Sequence, residues 1–180
     1  MTEEIKPKKR VNSKSKGSGN EGAIAKLLSA SLAPLNFVRS PGSGARVGGQ
    51  NFEKFGKMFG VDALKIFVGD VVCLNERDHG LEFKFSVEAK FYKTSDNFSS
   101  LFTGKANVYK WFEESVVDAV KTDKHPILIC KWNNTPQFAV LGKDIEIPAG
   151  INTIVLINGI QVCYLADLLQ HRDFWVHKTI

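Results

Sequence analysis

The sequence has few cysteines, and their positions exclude a disulfide scaffold or a thiolate zinc site. There are three of them, an odd number, spaced far apart and without a CxxC pair. Each lies in an apolar stretch, which favours a small buried side chain over a metal ligand. The four histidines also lack the spacing of a zinc site. Neither disulfides nor structural zinc are therefore expected to hold this chain together.

The chain also lacks an apolar run long enough to cross a lipid bilayer, and its N-terminus is polar instead of signal-like. Its length of 180 residues favours one compact domain, and a hydrophobic content of 43% is enough to bury a core. We therefore expect a cytoplasmic protein with no membrane partner.

Positive charge is concentrated at the N-terminus. Residues 1–18 hold six basic and two acidic side chains, a net charge of +4 out of +5 for the whole chain. Such an arm, poor in apolar residues, is expected to be disordered alone and attracted to a polyanion. A solubility tail has the same composition, so the arm by itself is a weak sign of nucleic-acid binding. The basic residues taken as DNA contacts here are Lys8, Lys9, Arg10, Lys14 and Lys16.

Hydrophobic periodicity predicts helices and strands that alternate along the chain. A helix capped by Asn20 is expected at 20–33, a second at 106–121 and a short third one at 166–171. Strands are expected at 36–40, 65–74, 81–91, 127–132, 137–141, 153–157 and 160–165, the last two joined by an Asn158-Gly159 turn.

The predicted strand 81–91 alternates strictly between apolar and polar residues, so Glu88 and Lys90 project from the same face. A carboxylate beside a lysine can serve phosphodiester hydrolysis. The carboxylate can hold a divalent metal, and the lysine can position the attacking water or stabilise the charge that builds on the phosphate. A solvated strand face with alternating charges would look the same.

Asp70 lies within an apolar stretch, where aspartate is disfavoured without a partner. If strands 65–74 and 81–91 are neighbours, Asp70 and Glu88 can converge on one cation, and hard oxygen ligands suit Mg²⁺ or Mn²⁺. The alternative is a local bend at Gly69 with a hydrogen-bonded aspartate.

Two further features precede these residues. Glu21 lies at the start of the first predicted helix, along its apolar stripe, so it either interacts with the helix dipole or points towards a metal site. The loop at 39–44 begins with Arg39 and is otherwise made of Ser, Gly and Pro. Small residues allow close approach of a phosphate backbone, although an ordinary surface turn has the same composition.

The order of these features resembles the PD-(D/E)XK nuclease superfamily, and within it the archaeal-type Holliday junction resolvases. The family's KGS-x-x-E opening is similar to residues 16–21, and its Arg-x-Pro/Ala-x-Ser-Gly loop to residues 39–44. Its Pro-Asp strand looks like residues 68–72, with Gly69 in place of the proline, and its Glu-x-Lys strand looks like 87–90. The resemblance implies an α/β fold of the restriction-endonuclease type, with a central mixed β-sheet flanked by helices.

The resemblance also implies roles for individual residues. Asp70 and Glu88 would be metal ligands for Mg²⁺ or Mn²⁺, Lys90 the catalytic lysine, Glu21 an aid to the metal site, and Ser43 a neighbour of the scissile phosphate. The chain would comprise the basic arm 1–18 and a single nuclease domain 19–180, with an insertion at 44–61 and a C-terminal extension at 143–180. The family's helix after the Glu-x-Lys strand usually carries a Gln at the active-site end. Residues 106–121 contain none, so this contact is either missing or supplied by another residue such as Lys110.

The implied activity is metal-dependent hydrolysis of branched double-stranded DNA, with two symmetric cuts made by a homodimer. Arg39 and Arg46 would contact the DNA backbone, and Phe174 with Trp175, or the group Phe52, Phe55 and Phe59, would form either a dimer surface or part of the core. Two alternatives stay open: a repair or restriction-type nuclease acting on linear or nicked duplex, and a non-catalytic DNA-binding protein on a nuclease fold.

Overall fold

The computed structural model describes residues 13–40 and 68–179. Its helices are α1 (Ser13–Ser31), α2 (Phe98–Phe102), α3 (Asn107–Val120), α4 (Leu165–Leu168) and α5 (Arg172–Trp175). Its strands are β1 (Phe37–Arg39), β2 (Val71–Cys73), β3 (Leu81–Phe83), β4 (Phe85–Tyr92), β5 (His125–Trp132), β6 (Phe138–Gly142), β7 (Ile154–Val155), β8 (Ile160–Tyr164) and β9 (Val176–Lys178). No helix within these ranges is long and apolar enough to span a bilayer.

Seven strands form a mixed sheet in the order β1-β2-β4-β5-β6-β8-β7, and β3 pairs with β9 in a small second sheet. The central pair, β4 and β5, is parallel, and the other neighbours are antiparallel. Helix α3 is the crossover between β4 and β5, as a parallel pair requires. This mixed sheet flanked by helices confirms the fold class expected from the sequence.

The two faces of the sheet bury separate apolar clusters, because successive side chains on a strand point to opposite sides. On β5, Ile127 and Ile129 pack with α1, whereas Leu128 and Cys130 pack with α3. Glu88 and Lys90 pair laterally with Leu128 and Cys130 in the parallel register. Both polar side chains therefore project from the face that α3 covers.

Helix α1 begins earlier than expected. It starts at Ser13 instead of Asn20, and Asn20 is a buried residue inside the helix and not its cap. Residues 13–18, which include Lys14 and Lys16, belong to this helix, although the sequence places them in the basic arm 1–18; the disorder of that arm stays a prediction. Residues 1–12, with Lys8, Lys9 and Arg10, lie outside the described ranges, as do Ser43, Arg46 and the expected insertion 44–61.

The two predicted central strands are shorter than the sequence pattern indicates. Within 65–74 the strand comprises only Val71–Cys73; Gly69 and Asp70 form a bend, and residues 65–67 lie outside the described ranges. The predicted strand 81–91 divides at Lys84, whose backbone N–H donates to the carbonyl of Trp175 at 2.9 Å. Its first part, β3, leaves the main sheet to pair with β9.

The segment expected as a C-terminal extension contributes β7 and β8 to the main sheet. The connection between them is a 3-10 turn, Ile157–Gly159, in which the predicted turn residues Asn158 (66°) and Gly159 (72°) have positive φ. Trp175 is fully buried and its indole N–H donates to the carbonyl of Leu168, so Trp175 belongs to the core and is not a dimer surface. Three apolar residues of α3, Val116, Val117 and Val120, are exposed.

Candidate active site

Asp70 is held in place by its neighbours on both sides. Its backbone N–H donates to the carbonyl of Val87 at 2.8 Å, and its own carbonyl accepts from the N–H of Ser40 at 2.9 Å. Its side-chain Oδ2 accepts from the backbone N–H of Ala89 at 2.9 Å. These bonds fix the carboxylate beside residue 88 on the neighbouring strand.

Gly69 makes this approach of two backbones possible. Its φ of +91° is strained for any residue with a side chain, and a Cβ built there would lie 2.9 Å from the carbonyl oxygen of Val87. The bend, which the sequence left as an alternative, is present, and it brings Asp70 to β4, where its carboxylate acts on the pKa of Glu88. The glycine at the superfamily's usual proline position is required by this local geometry.

Glu88 and Lys90 form an ion pair on the α3 face of β4. Glu88 Oε1 lies 2.7 Å from Lys90 Nζ, and their side chains are 15% and 23% exposed. Lys90 Nζ also lies 3.4 Å from Glu114 Oε2 on α3. The ammonium group is thus enclosed between carboxylates of the sheet and the helix, yet remains partly open to solvent.

Burial and the nearby Asp70 carboxylate raise the pKa of Glu88 to about 7, although Lys90 acts in the opposite direction. Burial alone would lower the pKa of Lys90, but Glu88, with help from Glu114 and Asp70, outweighs burial and raises it. Lys90 is therefore a permanent cation at neutral pH, whereas Glu88 is poised between its two protonation states.

The charges around these residues favour a cation. Four carboxylates (Asp70, Glu88, Glu114 and Asp118) meet two ammonium groups, those of Lys90 and Lys121. Mg²⁺ commonly binds through one or two carboxylates together with water and substrate phosphates. Asp70 and Glu88 match that donor set, while no group of three or more metal-binding side chains forms among residues 13–40 and 68–179.

A family model described as "Phage putative PDDEXK endonuclease" matches residues 12–162. The chain belongs to this family. No curated protein and no solved structure matches the chain significantly. Membership confirms the PD-(D/E)XK superfamily and supports a nuclease whose relatives generally use divalent metals. It does not extend to the archaeal-type Holliday junction resolvases in particular.

In this PDDEXK protein, Glu21 of α1 pairs with Arg39 of β1, the strand beside the bend that carries Asp70. Its carboxylate forms an ion pair with Nε of Arg39, on the side of the sheet that α1 covers. Arg39 is half-exposed, as a DNA contact would need to be, but in this structure it is engaged with Glu21. The metal-assisting role of Glu21 and the DNA-binding role of Arg39 therefore stay predictions.

The sequence interpretation missed two residues on α3, Glu114 and Asp118. Glu114 contacts Lys90, and the charge of Asp118 helps to raise the pKa of Glu88. The expected substitute, Lys110, is exposed and makes no contact with this site within the described ranges. Glu114 and Asp118 are four residues apart, which places them on one face of the helix. That spacing was visible in the sequence, but their direction depends on how α3 packs over β4.

Proposed function

We propose that this PDDEXK protein is a divalent-metal-dependent endonuclease that resolves four-way (Holliday) junctions in DNA. The observation that carries the proposal is the convergence of Asp70, Glu88 and Lys90, from a bend and a neighbouring strand, on one face of the sheet. The order of motifs that resembles archaeal-type resolvases supports junctions as the substrate.

The chemistry would be hydrolysis of a phosphodiester, in which water attacks phosphorus and the bond to the 3′ oxygen breaks. A bound Mg²⁺ or Mn²⁺ would supply a Lewis acid and a lower pKa for water. Asp70 and Glu88 are the residues that would hold the ion. The ammonium of Lys90 would bind the phosphate oxygen on which negative charge builds, and Glu114 would keep that ammonium in position.

Junction resolution needs two cuts related by near two-fold symmetry, so we propose that the protein acts as a homodimer with two such sites. The basic N-terminal residues, among them Lys8, Lys9 and Arg10, and the loop residues Ser43 and Arg46 would contact the phosphate backbone, together with Arg39. Contacts of this kind predict affinity that falls steeply as salt rises.

A cleavage assay tests the substrate. A four-way junction and a linear duplex of the same sequence are incubated with the protein, with Mg²⁺, with Mn²⁺ and with EDTA. Paired, symmetric cuts in the junction, absent in EDTA, support the proposal. Equal cutting of the linear duplex would instead make the protein a repair or restriction-type nuclease.

A single substitution tests the site. Glu88→Ala should reduce the rate of cutting about a hundredfold or more, because it removes one proposed metal ligand and the ion-pair partner of Lys90. Binding of the junction should persist. Glu113→Ala, an exposed residue on α3, is the matched control and should cut like the wild type. Junction binding without cutting by the wild type itself would indicate a non-catalytic DNA-binding protein.

A further inference from the structure

Tyr92 lies at the end of β4, on the same face as Glu88 and Lys90 and two residues beyond the lysine. Along a strand that separation is about 7 Å, the scale of one nucleotide. The side chain is 48% exposed. An open aromatic ring therefore stands next to the proposed position of the scissile phosphate.

The ring of Tyr92 is supported from behind by Trp111 of α3. The two rings stack with centroids 4.4 Å apart and an interplanar angle of 20°. Trp111 is only 7% exposed and belongs to the core cluster between α3 and the sheet. Stacking on a buried indole holds the tyrosine in one orientation, so little conformational entropy is lost when a flat ligand covers its open side.

Lysines adjoin this ring and its support in the sequence. Lys90 precedes it on β4, Lys93 follows it, and Lys110 precedes Trp111 on α3; the last two are exposed. An aromatic surface flanked by cations is the combination that single-stranded nucleic acids bind, through base stacking and backbone charge. An apolar peptide would gain nothing from the cations.

We propose that Tyr92, backed by Trp111, is a stacking platform for an unstacked base adjacent to the scissile phosphate. This inference rests on the proposed nuclease function and specifies its substrate further. In continuous duplex DNA both faces of every base are covered by its neighbours, so the platform has nothing to stack on. A branch point, a gap or a single strand exposes a base face, and the platform selects DNA of this kind.

Binding in EDTA tests the platform without any cutting. An oligothymidylate of about a dozen nucleotides is titrated against the full-length protein, wild type and variants. Tyr92→Leu should weaken binding about tenfold, and Tyr92→Phe, which keeps the ring, should not. Tyr164→Leu is the matched control, because Tyr164 is also half-exposed (46%) on the same sheet face, three strands away.

Each outcome bears on the platform. Wild-type affinity in Tyr92→Leu, or an equal loss in Tyr92→Leu and Tyr164→Leu, overturns it, and so does a wild type that does not bind the oligonucleotide. If Tyr92→Leu fails to fold, Tyr92→Thr carries the same test, since a β-branched residue suits the strand.

Cutting with Mg²⁺ or Mn²⁺ then separates the two proposals. The wild type should cut a gapped duplex in preference to a continuous one, and Tyr92→Leu should lose that preference while it still cuts. An unchanged preference in Tyr92→Leu overturns the platform and leaves the nuclease intact. A wild type that binds the oligonucleotide through Tyr92 but never cuts overturns the nuclease and leaves the platform as a DNA-binding site.

Discussion

At the scale of single residues, Gly69 determines whether Asp70 reaches Glu88. We expect Gly69→Ala to destabilise the protein by about 2 kcal/mol, because alanine is strained at a φ of +91° and its Cβ would meet the Val87 carbonyl. Cutting should fall by about a hundredfold, since small displacements of a catalytic group have effects of that size. Thermal unfolding and junction cleavage measure the two effects.

Gly22→Ala provides the control for this prediction. Gly22 lies inside α1 with open space around its Cβ position, so alanine should stabilise the protein by about 1 kcal/mol. Cleavage should stay unchanged. If both substitutions lower stability equally, or if Gly69→Ala cuts normally, the role assigned to Gly69 is wrong.

The sequence predicted the positions of site residues best where a local pattern determines the direction of the side chain. Strict alternation on one strand was enough to put Glu88 and Lys90 side by side. For Asp70 the sequence left two alternatives open, a strand and a bend. The hydrogen bonds that decide between them involve Ser40, Val87 and Ala89, which are all distant in the sequence. The pairing of Glu21 with Arg39 depends in the same way on how α1 packs against β1.

At the scale of elements, α3 holds Lys90 in place through Glu114. Glu114→Gln removes a negative charge that raises the pKa of Lys90, so that pKa should fall. The alkaline limb of the pH profile of cutting should therefore move to lower pH. Lys90 stays charged at neutral pH, so the loss of cutting there, about threefold, would come from a less well positioned ammonium group, with junction binding unchanged. A merely structural role would leave the pH profile in place.

Glu113→Gln is the control, since Glu113 is the exposed neighbour of Glu114 and undergoes the same chemical change. Its pH profile should match that of the wild type. If the wild type, Glu114→Gln and Glu113→Gln have the same pH profile, Glu114 does not act on Lys90 and has no positioning role.

Elements with strong periodicity were predicted well, and elements that depend on distant contacts were not. Helix α3 and the Asn158-Gly159 turn carry their signals locally. The first turns of α1 contain Ser, Lys and Gly, which are weak or ambiguous helix signals, and Asn20 looked like a cap although the helix continues through it. The break at Lys84 follows from a bond to Trp175, nearly a hundred residues away, and no local pattern shows it.

At the scale of the whole molecule, the order of elements predicted a mixed sheet between helices, because βαβ connections and hairpins leave few other arrangements. The order of the strands within the sheet could not be predicted, because it results from packing across the whole domain. The residues after 143 illustrate this: they contained recognisable strands, yet only the fold places β8 beside β6 within the main sheet.

The site also affects the stability of the entire protein. The pKa of Glu88 is raised from 4.5 to about 7, so between these values the folded state binds more protons than the unfolded state. The stabilisation from this proton is complete below pH 4.5 and is lost as pH rises through about 7. At pH 8 the metal-free wild type therefore carries a buried charge at a cost of a few kcal/mol at most, one pKa unit being about 1.4 kcal/mol.

Glu88→Gln should remove this cost, because the amide stays neutral. In EDTA the variant should melt at a higher temperature than the wild type near pH 8 and at a similar temperature near pH 5. Mn²⁺ should reverse the order near pH 8, since an ion that binds only the folded wild type raises its melting temperature and the variant lacks the ligand. Glu113→Gln, tested alongside, should follow the wild type throughout. A wild type that Mn²⁺ does not stabilise, or a Glu88→Gln variant that it stabilises equally, would show that Glu88 does not hold the ion.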